Sequence, residues 1–450
     1  MMRMDIHLLR RFGLLLVGLA FASSTWAQQS ATRMTLDQAI AYAMEHNFKL
    51  IRARLDVEDA RQQVIETTAI GLPQINGGVD YNYYIELPTS LVPAKFFDPT
   101  APEGTFAELQ FGTKHNLTLK AQLSTLVFDG SYLVGLQAAR KYAVLAAQQY
   151  VAAQAEVRNS VRDAYLPALI VRRNVEILDK NIATLQGMLE ETRAMYAQGF
   201  VERLDVDRLE LSLAQLTNQR DNLARQLETA LNYLKFQMGY PLDQPLDIAD
   251  DIETLLADGV PEEWLTGPID PSQRPEYQAA QTGVELNELN IRRYQAGYLP
   301  SLAAFGSYQR QLQGNKLSDG SWFPVAIVGA QLNVPIFDGL SKKAKIQRAK
   351  IDLEQARSQT KELARAIQLE VANARTNYLS ARERVATSRS NMELAERIYE
   401  TTRIKYREGV GSSLELTQAE QALYQAQQAY TQALYDMLVA KTALMKALGK

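Results

Sequence analysis

Cysteine is absent from all 450 residues, and histidine occurs only three times. The first absence excludes disulfides, metal–thiolate sites and a lipidated cysteine behind an export leader. The second leaves His46 and His115 beyond the N-terminal leader, too few and too far apart in sequence to suggest a metal centre. No stretch reaches the ~18 consecutive apolar residues that a membrane-spanning helix needs. The net charge is −3, and a weakly acidic exported chain is a poor binder of nucleic acid, whose phosphates call for clustered Lys and Arg, so no nucleic-acid partner is expected. Reaction motifs are missing as well. There is no Gly-x-Ser-x-Gly elbow, no phosphate-binding glycine loop and no His–carboxylate cluster at ligand spacing. Neither catalysis nor a cofactor nor a metal is expected.

The N-terminus reads as an export signal. Arg3, Arg10 and Arg11 precede an apolar run from Phe12 to Ala22, and Thr25-Trp26-Ala27 is a small-x-small cleavage site. Residues 1–27 are the expected leader, with the mature chain starting at Gln28.

The mature chain is written twice. Phe128-Asp129-Gly130 returns as Phe337-Asp338-Gly339, and Tyr196-Ala197-Gln198-Gly199 returns as Tyr406-Arg407-Glu408-Gly409. Gly239 and Gly449 close the two copies. A repeat of this length marks a duplicated architectural unit. Residues 28–240 form the first copy, 241–274 a Pro- and Asp-rich connector read as solvated, and 275–450 the second.

Between Gly130 and Tyr196 the only helix-breaking residues are Gly135, Pro167 and Gly187. A helix over 130–197 would run roughly 100 Å, with Pro167 bending it or freeing a carbonyl. Val157, Val161, Ala164, Ala168, Val171, Val175 and Leu178 alternate steps of four and three, the seam of a left-handed supercoil. The second copy repeats this over 340–407. Glycines at 199 and 409 break each long helix, and shorter seamed helices return over 203–238 and 412–448, giving antiparallel hairpins. Further helices are expected over 35–70 and 275–298.

Residues 74–87 and 110–128 alternate apolar and polar side chains, as do 322–337. Segment 301–312 is read as a strand chiefly from the repeat. Such period-two segments, longer than the ~10 residues that cross a bilayer, suit an outer-membrane barrel with apolar side chains outward. Tyr81, Tyr83, Phe128, Trp322, Phe323 and Phe337 would supply aromatic girdles. Residues 88–109, with four prolines, read as a surface loop. Four strands cannot close a barrel, and open edges are forbidden in lipid, so the barrel must be shared between protomers. The helices alone would equally suit a periplasmic or surface coiled-coil structural protein without a pore; the strands argue against it.

This sequence of elements resembles the TolC family of outer-membrane efflux proteins. The resemblance rests on Val334-Pro335-Ile336-Phe337-Asp338-Gly339, on Leu72-Pro73 and Leu299-Pro300 entering the strands, and on the paired Tyr-x-x-Gly turns. The first copy departs from it at Leu126-Val127-Phe128, where the proline is absent. The resemblance implies a mostly α fold with a small antiparallel β part. Three protomers, four strands each, would build one twelve-stranded outer-membrane β-barrel, continued by a periplasmic α-helical coiled-coil barrel. It also implies a duct of a tripartite efflux or type I secretion system. The partners would be a periplasmic membrane-fusion adaptor, an inner-membrane pump of resistance-nodulation-division or ABC type, and outer-membrane lipid.

Site residues follow from the same resemblance. At the junctions Phe128, Asp129, Gly130 and Phe337, Asp338, Gly339 would carry the chain from strand to helix, the aspartates capping orphan N–H groups and the glycines tolerating the backbone. Glu415 and Gln418 fall on the family's constriction ring, only one of them acidic here. Asp205 would hydrogen-bond Tyr406 to hold a closed end, while the Arg expected to complete that lock is Gly411. The tips Gly199, Phe200, Val201 and Gly409, Val410, Gly411 would meet the adaptor.

Overall fold

The computed structural model describes residues 32–257 and 259–450; the leader and its cleavage site lie outside them. Strand β1 (Thr32–Met34) leads into helix α1 (Leu36–His46) and helix α2 (Phe48–Ala69). The single helix expected over 35–70 is therefore two. Thr35 and Gln38 close a capping box at the start of α1. Asn47 is extended (φ −67°, ψ 126°) and its side chain accepts the N–H groups of Lys49 and Leu50, so one residue ends α1 and starts α2.

Next come β2 (Gln74–Tyr83), β3 (Thr89–Pro93), β4 (Phe106–Gln110) and β5 (His115–Phe128). Two expectations change here. The strand read over 74–87 stops at Tyr83, and the one read over 110–128 begins at His115, because 89–93 and 106–110 pair with each other as a separate ribbon in the proline-rich loop. Helix α3 (Gly130–Ala197) runs unbroken through Pro167 for 68 residues, and α4 (Arg203–Met238) returns beside it.

The connector contains β6 (Leu246–Ile248), α5 (Ile252–Ala257) and α6 (Glu262–Thr266). It is a packed strap rather than the solvated linker expected. Strand β6 pairs in parallel with β1, and Leu246, Ile248 and Ile252 are buried. Arg172 of α3 donates to the carbonyls of Ile248 and Asp250, and Arg375 donates to those of Trp264 and Gly267 at 2.8 and 2.7 Å. Both copies thus satisfy strap carbonyls with an arginine from a long helix.

The second copy supplies α7 (Pro275–Ala296), β7 (Ser301–Gly314), β8 (Ser321–Asn333), α8 (Ser341–Arg407) and α9 (Ser413–Ala447). The strand read over 322–337 ends at Asn333. Pro335 has no N–H to donate to a ladder, and the chain turns through Gly339 (φ 66°) and Leu340 (φ 69°) into α8. Asp338 still accepts the N–H of Lys342 at 2.9 Å, as Asp129 accepts that of Tyr132 at 2.9 Å. The two junction glycines act differently. Gly339 is needed for its left-handed backbone, whereas Gly130 is helical and buried, and a Cβ there would lie 2.9 Å from Leu299 Cδ1 and 3.1 Å from Ala296 O.

The main sheet is antiparallel in the order β2-β5-β7-β8. Its register puts Ile75, Val79 and Tyr81 beside Leu123, Leu119 and Leu117, and these beside Gly306, Arg310 and Leu312, with Trp322, Ala326 and Val328 completing that face. Asp80, Thr118, Lys120, Gln122, Gln309 and Gln311 share the other. The apolar face is uncovered, with Ile75 79% and Val328 90% exposed. Two girdle assignments fail. Phe323 pairs with Gln311 on the wet face, and Phe337 lies beyond the strand.

Helices α2, α3, α7 and α8 form one layer next to the sheet, each packed on the one before it. At the far end α4 packs on α3, and α9 on α8. Three apolar clusters follow the long axis. One joins the helices to the strap around Tyr165, Leu169, Met238 and Ile248. A second ties α8 to α9 through Val371, Tyr378, Ala440 and Leu444. The third sits by the tips, around Leu185, Leu189, Leu209, Tyr406 and Leu416.

Candidate functional site

Both helical hairpins turn at the end farthest from the sheet. Gly199 (φ 80°) and Gly409 (φ 74°) take the left-handed backbone that lets each long helix stop. Phe200 N–H then bonds to Met195 O at 2.9 Å, and Val410 N–H to Lys405 O at 3.0 Å. Phe200 and Val410 project into solvent, 73% and 79% exposed; Val201 is half-buried behind Phe200. At Gly411, where the resemblance implies an arginine, the turn is close-packed. A Cβ at this position would stand 3.0 Å from Tyr406 N and 3.2 Å from Lys405 Cβ, so a side chain here would have to push the end of the long helix aside by a few tenths of an ångström.

Asp205 and Tyr406 both lie at this end, but the direct bond implied by the resemblance is replaced by two others. Asp205 completes a capping box with Glu202, accepting its N–H at 3.0 Å. Its other oxygen accepts the hydroxyl of Ser413, and Arg208 donates to that same hydroxyl at 3.0 Å. Ser413 is 3% exposed, so this link between α4 and α9 is sheltered from water. Tyr406 Oη instead meets Thr192 Oγ1 at 3.3 Å, linking α8 to α3. Burial, with the charge of Asp205 adding to it, raises the Tyr406 phenol above its ordinary value.

Glu415 and Gln418 stand one turn apart on an exposed face of α9. Glu415 N–H is capped by Ser412 Oγ at 3.2 Å, and its carboxylate faces the positive end of the helix.

Sequence reasoning missed Ser413, Arg208 and Thr192, because their partners come from other helices. It also missed Glu420. This carboxylate follows Leu416 by four residues and precedes Leu423 by three, on the buried seam of α9, a legible signal. Its Oε2 is buried and without a hydrogen-bond partner. The side chain borders a cavity of about 320 Å³ lined from α3, α4, α8 and α9, with Asn181, Gln219, Tyr399, Arg403 and Tyr424 among the residues around it. Burial pushes the Glu420 carboxyl up to about 7.

That value has a stability consequence. The folded chain holds this proton more tightly than the unfolded chain, whose glutamates titrate near ~4.3. Stability is therefore fullest below the unfolded value and falls as pH rises through about 7. Thermal melts at about pH 5 and about pH 8 will show the wild type losing more stability across this window than Glu420→Gln. Parallel losses in the two proteins would contradict the assignment.

Comparison with known proteins agrees with this architecture. The sequence pattern of the outer membrane efflux protein family matches residues 39–240 and 272–450. The chain is 24% identical over 441 residues to the outer membrane efflux protein BepC of Brucella suis biovar 1 (strain 1330), covering 94% of this chain and 87% of BepC. It is 22% identical to the proteases secretion protein PrtF of Dickeya chrysanthemi, covering 91% and 87%. Its fold is similar to the open state of the Neisseria gonorrhoeae MtrE outer membrane channel, with a TM-score of 0.73, 19% identity and coverage of 92% and 88%. The two matched segments span most of the sequence, and they make this chain a member of the outer membrane efflux protein family.

Proposed function

We propose that three copies of this chain form one continuous duct, with a twelve-stranded barrel in the outer membrane and a helical tube through the periplasm. One observation carries the reading. The sheet has an uncovered apolar face and two unpaired edges, β2 and β8. In hydrocarbon each unpaired backbone group costs several kcal/mol, and closure removes them all. Four strands are too few to close alone, and twelve from three chains suffice. Crosslinked or native-mass measurement of detergent-purified protein will give a trimer, and a stable monomer would overturn the reading.

The duct makes and breaks no covalent bonds. It accepts cargo at the tips and releases it through the barrel. The exposed apolar Phe200 and Val410, with the turn residues beside them, suit docking of a periplasmic membrane-fusion adaptor. An inner-membrane pump of resistance-nodulation-division or ABC type would drive transport. Efflux and secretion are both represented among the relatives, in BepC and PrtF. Photocrosslinkers at positions 200 and 410 will capture such an adaptor; labelling confined to other faces would remove the tips from the interface.

Glu415 forms the constriction. Three copies around the axis would attract cations and repel anions, while Gln418 leaves the ring with one acid per chain. Glu415→Ala will lower the cation preference of channels in planar bilayers. Unchanged reversal potentials in asymmetric KCl would take Glu415 out of the constriction.

A further inference from the structure

Beside the sheet lies a trough of about 860 Å³, touched by all four helices of the layer. Its wall includes Thr67 of α2, Tyr132 and Tyr142 of α3, Arg293 and Tyr294 of α7, and Lys342 and Lys345 of α8. In the duct reading the lumen is the side of the layer continuous with the wet face of the sheet. Leu126 also borders the trough. Its register partner is Ala303, which pairs with Gln331 on the wet face of the sheet.

The charge of this trough is one-sided. Three cations line it, and its one carboxylate, Asp129, is engaged in capping Tyr132 N–H. Lys342 is partly neutralised by Asp338, 4.0 Å away, and lies over the Tyr298 ring. Arg293 lies 5.2 Å over the Tyr294 ring, which leaves its charge uncompensated. Among the described residues no ion pair involves Arg293 or Lys345. The start of α8 adds Lys343, Arg348 and Lys350, and no acid occurs from Ser341 until Asp352. Concave low-dielectric walls focus such a field and concentrate counter-ions.

We infer that this trough is a subsite for aromatic or amphiphilic organic anions, with Arg293, Lys342 and Lys345 receiving the acidic group and Tyr132, Tyr142 and Tyr294 flanking the apolar part. The volume suits a small molecule. Guanidinium and ammonium groups supply charge-assisted donors to carboxylate, sulfonate or phosphate, and the tyrosine rings supply apolar area with a polar tip. The subsite rests on the duct reading for its place on the cargo path. Anions admitted past the tip would pause here, at the entrance to the barrel.

Naphthalene-2-sulfonate and uncharged 2-naphthylmethanol serve as probes, titrated calorimetrically into the full-length protein in nanodiscs. The sulfonate will bind more tightly than the alcohol, and added KCl will weaken it. Arg293→Glu with Lys345→Glu will reduce sulfonate affinity by about tenfold or more. The Arg293→Lys, Lys345→Arg pair will retain binding. Equal affinity for the two probes, or sulfonate binding indifferent to the charge reversals, would overturn the subsite. Conductance of the same preparations reports on the duct separately. A conducting channel without sulfonate preference refutes the subsite alone, and a non-conducting protein that binds sulfonate refutes the duct alone.

Discussion

Gly239→Val will leave little folded protein in the outer membrane. Gly239 ends α4 with a left-handed backbone, φ 73°, at the point where α4 reaches the break between α1 and α2. A Cβ there would lie 2.5 Å from His46 O, 2.9 Å from His46 C and 3.4 Å from Asn47 Cα. These are backbone atoms, so no flexible side chain can yield. The substitution would also disturb the bond from Asn47 Nδ2 to Gln237 O, 2.7 Å, in which one residue caps α2 and anchors the end of α4. Left-handed strain and forced displacement together cost about 2–5 kcal/mol, a large share of the ~5–15 kcal/mol that holds a typical domain. Gly449, its counterpart in the second copy, has the same backbone (φ 72°), but the nearest atoms to a Cβ there are farther off, Arg274 Cδ at 3.2 Å, Gln273 O at 3.3 Å and Gln273 C at 3.7 Å. Thermal melts and outer-membrane yields of Gly239→Ala and Gly449→Ala will rank the first as the more damaging. Equal losses would show that the approach of α4 to His46 carries no special weight.

Ser413→Ala combined with Arg208→Ala will raise the resting conductance of the channel by about tenfold or more. In this chain no arginine is present at 411 to lock the tips, the residue there being Gly411. The Ser413 hydroxyl instead joins Asp205 and Arg208 of the first hairpin to α9 of the second. A hydrogen bond to a charged group contributes about 1.5–3 kcal/mol. Losing that much would shift a closed–open equilibrium by roughly ten- to a hundredfold. Melting temperatures will move little, since the nearby apolar cluster around Leu209 and Leu416 remains. Single-channel steps of wild-type size would show that this link does not restrain the tips.

The contrast between the two junction glycines illustrates how far a sequence can be read. Phe-Asp-Gly marks both strand-to-helix passages, and both aspartates accept helix N–H groups. Yet Gly339 answers to backbone sign and Gly130 to the approach of Ala296 and Leu299, residues more than a hundred and sixty positions away. A local pattern shows that a glycine is needed but not which of two reasons applies. The same limit explains the tips. The expected Asp205–Tyr406 bond gives way to Asp205 with Ser413 and Tyr406 with Thr192, because the role of Ser413 depends on how α9 lies against α4.

The sequence by itself determined everything with a period. The seam from Val157 to Leu178, the alternation from His115 to Phe128 and the duplicated punctuation of Gly199 and Gly409 specify long supercoiled helices, half-wet strands and two hairpins. These features arise from local sterics and hydrophobic repeat, which each segment carries within itself. Tertiary structure decided where elements stop and what the aperiodic parts do. Asn47 splits a helix because α4 ends against it, strand β8 stops at Asn333 as the chain swings into α8, and the connector packs because Arg172 and Arg375 satisfy its carbonyls. Such outcomes depend on contacts between residues far apart in the chain, and no window of sequence contains both partners.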